Sequence, residues 1–155
     1  MEYSSEIINH FLSDVFGDIL KREEATLAAG DLSLREVQLI DAICRTVDEG
    51  GDNRSTAIAS ARQMPAGTLT CAVGLLEKKG YLVRRRDEKD RRAVRLLPTQ
   101  LGRAASEQHR AFHRRLTDRM LSALTDQEAS ALARGMEKLA AFFRGGAQAP
   151  AEPQP

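Results

Sequence analysis

The sequence predicts a mainly α fold with a small β-wing. Apolar residues recur at helical spacing along most of the chain. Helix start and stop signals cut that pattern into a series of mostly short segments. Only between residues 81 and 97 does the pattern change, to two short extended runs joined by a wholly charged turn.

Residues 5–25 hold the first helix. Ile7, Phe11, Val15 and Ile19 form one i,i+4 ladder, and Ile8, Leu12, Phe16 and Leu20 form another beside it. The stripe is wide for the first helix of a small domain, and a second copy of the chain could cover the excess. A Gly/Asp turn follows at residues 26–32. Ser33-Leu34-Arg35-Glu36 fits a capping box. Leu34, Val37, Ile40, Ile43, Cys44 and Val47 then continue a second helix, which Gly50-Gly51-Asp52 ends. A third, short helix spans about Ser55 to Arg62 and is broken by Met64-Pro65. The fourth runs from Ala66 to Lys79, with Leu69, Val73 and Leu76 inward and Gly80 as its stop.

The extended runs are Tyr81 to Arg85 and Arg92 to Leu97, the second with Val94 and Leu96 inward and Arg95 outward. Thr99 is the expected N-cap of a fifth helix reaching about Ala123. Thr125 or Asp126 caps a sixth, with Ala129, Leu132, Met136, Leu139, Ala140 and Phe143 on its apolar side. Residues 145–155 are rich in Pro, Ala and Gln and are read as a disordered tail. Short helices joined by a tight turn, then a two-stranded hairpin, make a winged helix-turn-helix domain. The expected organisation is one domain over residues 1–144, with its helix-and-wing part at about 33–97. N- and C-terminal dimerisation helices occupy about 5–25 and 99–144.

The chain has 155 residues and 42% hydrophobic composition, enough for one core. Its net charge is only +1, but the charge is segregated. Residues 1–31 carry seven acids against two bases, whereas seven of the twelve residues from Arg84 to Arg95 are basic and three acidic. That hairpin therefore carries +4, an electrostatic footprint for a phosphate backbone. Trp is absent and aromatics are scarce, which disfavours stacking on single-stranded bases. No apolar run approaches membrane-spanning length, and the start does not read as a signal peptide. Two cysteines, Cys44 and Cys71, make no disulfide framework, so a reducing, cytoplasmic setting is expected. No Gly-rich phosphate loop, HExxH, G-x-S-x-G or Cys/His zinc cluster points to an enzyme.

The segments GTLT and LLEKKGYLVR, then RRDEKDRR, then Thr99-x-x-Gly102, together resemble the MarR family of bacterial transcriptional regulators. The family's wing signature, Asp-x-Arg followed after a spacer by Leu-Thr, stands here as Asp90-Arg91-Arg92 with Thr99 at the expected distance. The resemblance covers residues 5 to about 144. Pro98 departs from the usual Leu, and Arg62 stands where an apolar residue commonly closes the third helix. Arg62 thus weakens the packing argument for that helix, or offers another base to phosphate. The resemblance implies a homodimer whose first, fifth and sixth helices interlock and whose winged heads reach successive major grooves of a pseudo-palindromic double-stranded operator. It further implies a sequence-specific regulator, taken to be a repressor, released by a small apolar or aromatic effector. No cofactor is expected. The alternative is a winged-helix protein-interaction module or a non-specific architectural DNA binder.

With Leu69, Val73 and Leu76 inward, Ala66, Gly67, Thr68, Thr70, Cys71 and Gly74 lie towards the open side of the fourth helix. Small residues let a helix sit deep in a groove, and Thr68 and Thr70 can meet phosphate or a thymine methyl. No Arg, Asn or Gln stands on its first turns, so sequence choice leans on DNA shape. Arg92 is the candidate for the minor groove. The resemblance implies that Asp90 pairs with the Arg92 guanidinium, and that Arg84, Arg86, Arg91, Lys78 and Lys79 meet phosphates. Phe11, Val15, Phe16, Ile40 and Ile43 are candidates for an apolar effector floor, against the plainer reading as core.

His109 and His113, at i,i+4, have the spacing of a metal pair, with Glu23, Glu24, Asp41 and His10 as conceivable further ligands. Arg110, Arg114 and Arg115 crowd the stretch and disfavour a cation. The pair is read as polar helix surface, and no metal is expected. Cys44 falls on an apolar face and is read as core. Cys71 lies on the groove-facing helix, where oxidation or alkylation could eject DNA. The family's peroxide sensors, however, carry their reactive cysteine in the first helix, and this chain has none there, so redox sensing is not expected.

Overall fold

The computed structural model describes residues 2–27 and 30–144. The tail at residues 145–155 lies outside them. Where the sequence predicts one opening helix, the backbone forms α1 (Glu2–His10), a π-helical segment (Phe11–Val15) and α2 (Phe16–Leu27) without a break. The wider i→i+5 turns disturb the strict i,i+4 alignment of the two apolar ladders.

α3 (Leu34–Asp48) begins on the expected capping box. Glu36 N donates to Ser33 Oγ at 3.3 Å, and Ser33 N donates to Glu36 Oε2 at 2.7 Å. This satisfies two amides that a helix start leaves unpaired. α4 (Ser55–Ala61) and α5 (Ala66–Lys78) follow, then β1 (Leu82–Arg86) and β2 (Val94–Pro98). The strands pair antiparallel, from Leu82 opposite Pro98 to Arg86 opposite Val94. α6 (Gln100–Leu121) and α7 (Asp126–Arg144) complete the described chain. Most boundaries stand within two residues of expectation, the ordinary fraying of helix and strand ends.

The chain divides into two compact units, residues 1–112 and 113–155. The first has the core. Ile40, Ile43, Ile58, Leu69, Val73, Leu76, Leu82 and Leu96 are almost wholly buried together. α3, α4, α5 and both strands each contribute to it, which holds the hairpin against the three helices. In the second unit, α7 starts on another capping pair: Thr125 N donates to Glu128 Oε2 at 2.8 Å, and Glu128 N to Thr125 Oγ1 at 3.4 Å. α7 buries none of its residues, and Leu132, Met136, Leu139, Phe142 and Phe143 are exposed.

The joint between β2 and α6 accounts for Thr99-x-x-Gly102. Thr99 Oγ1 donates to Gly80 O at 2.7 Å, Thr99 N donates to Tyr81 O at 3.0 Å, and Gly102 N donates back to Thr99 Oγ1 at 3.1 Å. A Cβ on Gly102 would stand 2.2 Å from Tyr81 O. Backbone on backbone leaves no side chain to yield, so only glycine fits. Pro98, at the end of β2, needs no amide for this arrangement.

Candidate nucleic-acid interface

α4 and α5 are joined through a tight reversal. Gln63 takes φ +50°, the left-handed region that non-glycine residues seldom occupy. Met64 N donates to Ala59 O at 2.9 Å. Pro65, with no amide to donate, stands just before the first residue of α5. Arg62 ends α4 in an exposed position, so it takes no part in the core.

α5 buries Leu69, Val73 and Leu76, which sets its outward face. Ala66, Gly67, Thr68, Thr70, Cys71 and Lys78 are exposed, and Gly74 is half-buried. Nothing lies within 4 Å of where a Cβ on Gly67 would stand, so the start of α5 presents a low, open surface. Thr70 Oγ1 donates to Ala66 O at 2.8 Å. Its proton is committed to its own helix, and it offers a methyl group and lone pairs outward. Cys71 is a free, exposed thiol. Cys44 is the buried one, as its place in the apolar pattern predicts, and burial pushes its thiol above the ordinary range.

The wing is held by polar groups that the sequence pattern did not single out. Asp87 Oδ1 accepts the amides of Lys89 at 2.8 Å and Asp90 at 3.0 Å, while Arg95 Nε pairs with Asp87 Oδ2. Those two amides, then the Arg95 guanidinium, hold the Asp87 carboxyl below its ordinary range. Arg95 Nη1 also donates to Asn53 Oδ1 at 2.6 Å. Asn53 in turn exchanges bonds with Leu96: its Nδ2 donates to Leu96 O, and Leu96 N donates to Asn53 O, both at 2.9 Å. The loop before α4 is therefore stitched to β2. An aspartate opening a tight turn is a legible Asx signal. Asn53 carries no local signal, because its partners arrive from a distant stretch of chain.

Asp90, expected to pair with the Arg92 guanidinium, instead accepts the Arg92 backbone amide at 3.0 Å. Asp87 is the carboxylate that engages a guanidinium, and it engages that of Arg95. The Arg92 side chain is exposed and, among the described residues, enters no ion pair. Arg86 and Arg91 are exposed as well. Two expected phosphate ligands are engaged inside the protein. Lys79 Nζ donates to Glu36 Oε1 at 2.9 Å and to the Asp31 carbonyl, tying the end of α5 to the start of α3. Arg84 Nη2 donates to Thr70 O at 2.9 Å.

The candidate effector residues are not gathered on one surface. Ile40 and Ile43 are wholly buried in the core, where they fill the space between α3 and its neighbours, while Val15 and Phe16 are exposed. A cavity of about 240 Å³ opens instead among Leu27, Leu32, Tyr81, Leu101, Ala105 and Gln108. Asp31 Oδ1 accepts the Tyr81 hydroxyl at its edge at 2.7 Å and pushes the Tyr81 pKa up to about 12.

His109 is not helix surface. It is 8% exposed, and its Nδ1 lies 2.6 Å from Oε1 of Glu23, itself 2% exposed. His113 is exposed further along α6. Beside His109, Asp41 accepts Ser106 Oγ at 2.8 Å and Arg110 Nε at 2.6 Å, and pairs with Arg45 at 3.0 Å. These polar groups tie α3 to α6. Glu24 and His10 are exposed elsewhere.

A model of the MarR family matches residues 30–93, the span from the turn before α3 to the end of the wing turn. Comparison with curated proteins gives no match. Among solved structures, the chain is similar to FabT of Streptococcus pneumoniae, determined in complex with DNA. The TM-score is 0.81 at 28% identity, over 91% of this chain and 98% of that one. It shares its fold with YusO of Bacillus subtilis (TM-score 0.68, 22% identity, 90% and 96% covered). The same holds for MepR of S. aureus, also in complex with DNA (TM-score 0.67, 18% identity, 91% and 96% covered).

Proposed function

We infer, for a chain that belongs to the MarR family of winged helix-turn-helix DNA-binding transcriptional regulators, that it works as a homodimeric repressor. Two heads would engage a pseudo-palindromic duplex with half-sites about one helical turn apart, ~10 bp. The observation that carries this reading is the pairing of an open, small-residue face on α5 with an exposed basic wing in one folded unit. Ala66, Gly67, Thr68, Thr70 and Cys71 would face the major groove. Lys78, Arg86 and Arg91 would meet phosphates, and Arg92 would enter the minor groove. Gly74, Arg84 and Asp90 would act from behind them. In this reading residues 1–144 form one working domain, placed with chromosomal DNA in the cytoplasm.

Two features support a second copy as partner. Ile7, Ile8 and Leu12 are 49–60% exposed on the first helical segments, and α7 presents its own apolar face. Soluble monomers seldom leave such stripes open. Among the described residues, no helix is long and apolar enough to cross a membrane. The cavity beside Tyr81 supports release by a small apolar effector: it is lined by Leu27, Leu32 and Leu101, with a hydroxyl and an amide at hand.

Selection of bound sequences from a random duplex pool tests the reading. Enrichment of a palindromic consensus by a dimer supports it. Equal retention of every duplex identifies an architectural binder, and retention of none by folded dimer points to a protein-interaction module.

A further inference from the structure

We propose that Arg84 is a positioning residue for DNA binding. With Gly74, Thr70 and Glu77 it forms a clasp that fixes the separation between the wing and α5. The proposal rests on the reading of α5 and the wing as one DNA-binding surface.

An arginine on an exposed strand beside a DNA-reading helix is usually counted as a phosphate ligand. Here one of its guanidinium donors is already bonded to α5, and its Nε faces a carboxylate of the same helix. Arg84 Nη2 donates to the carbonyl of Thr70, in the middle of α5, at 2.9 Å. That carbonyl has a second lone pair beyond its helical bond, so the interaction costs the helix nothing. In return, Glu77 of α5 accepts the backbone amide of Arg84 through Oε1 at 3.2 Å, and its Oε2 lies 3.8 Å from Arg84 Nε. Strand and helix thus hold each other in both directions: a side chain of β1 reaches the backbone of α5, and a side chain of α5 reaches the backbone of β1.

Gly74 makes the first of these possible. It stands one turn after Thr70, on the same face of α5. The guanidinium lies across it, 3.2 Å from where a Cβ would stand. A methyl group there would require the guanidinium to give by a few tenths of an ångström, at the expense of its bond to the Thr70 carbonyl. Glycine within a helix is otherwise a disadvantage relative to alanine. Alanine at this position therefore favours the helix and opposes the clasp, which separates a contribution to folding from a contribution to geometry. The geometry matters because α5 and the wing must reach their two grooves together. An error in their spacing forces one to withdraw when the other is seated.

The test uses full-length protein and the duplex that the wild-type chain enriches from a random pool. We expect Gly74→Ala to melt no lower than wild type, yet to bind roughly tenfold more weakly, the scale of one broken hydrogen bond in each protomer. Chemical footprints should show minor-groove protection from the wing fading while major-groove protection remains. Arg84→Ala should weaken binding with an unchanged slope of log affinity against log salt. The double variant should bind no more weakly than Arg84→Ala alone, because both changes open the same clasp. Any of four results would overturn the proposal. Gly74→Ala could bind as wild type or melt lower. The Arg84→Ala slope could fall by about 0.9 per protomer, the signature of a cation withdrawn from a phosphate. Both footprints could fade in equal measure. A wild-type chain that enriches no duplex removes the DNA reading itself, and the clasp's purpose with it.

Discussion

Gly102 leaves no room for a side chain. The 2.2 Å approach of a Cβ to the Tyr81 carbonyl means that Gly102→Ala must pry α6 from the chain between α5 and β1. We expect a destabilisation of about 3 kcal/mol, read as a lower urea midpoint at unchanged slope. Asp41 sets a pH limit. Burial alone would raise its carboxyl, but the Arg110 guanidinium and the Ser106 hydroxyl outweigh burial and hold it below the ordinary range. A depressed carboxyl adds stability that is complete above its unfolded value, about pH 4, and lost as pH falls through the lower folded one. Unfolding measured from pH 2 to 6 should show this acid-side loss in wild type and a shallower one in Asp41→Asn. Arg92→Ala should weaken operator binding by about one to two orders of magnitude, the range for one arginine at a base-reading position. The dimer should remain folded, and unchanged affinity in a mobility-shift assay would remove Arg92 from the interface.

At the scale of elements, the helices were legible because each carries its own instructions. The Ser33–Glu36 box, the Met64-Pro65 break and the Leu69, Val73, Leu76 stripe all act within a few residues, and the structure honours each of them. The π-helical segment is invisible to a pattern that presumes i,i+4 spacing. The wing shows where local reading ends. Its charge was plain, but which carboxylate serves which arginine depends on where β2 meets Asn53, a long-range fact. For that reason Asp87 with Arg95 stands in place of the expected Asp90 with Arg92, and Arg84 and Lys79 bond to Thr70 and Glu36 of the protein itself. The reading of His109 as helix surface fails for the same cause: Glu23, one of several conceivable partners in the sequence, reaches it from a separate helix and buries it. α7 carries the element-scale prediction. Leu139 is 59% exposed on its apolar face. Leu139→Glu should convert the sedimenting species from dimer to monomer at micromolar concentration, and a persistent dimer would exclude that face from the interface.

For the whole molecule, a near-zero net charge conceals an acidic N-terminal stretch and a basic wing. Affinity for DNA should therefore follow the wing rather than the total. With Lys78, Arg86 and Arg91 of two protomers on phosphates, the slope of log affinity against log salt should be about −5, on the order of a thousandfold between 50 and 200 mM. A slope near zero, measured by fluorescence anisotropy, would end the phosphate model. The joint at Thr99 bears on how such a complex could be released. Thr99 is bonded at once to Gly80, just past α5, and to Tyr81, and it caps α6. It works as a welded elbow rather than a hinge. A tilt of the first turns of α6 would therefore bear directly on the chain that leaves α5. Tyr81 and Leu101, which wall the cavity, flank that elbow. A small molecule wedged there would act like a shim under a rigid beam, turning a local displacement into a misaligned pair of reading heads.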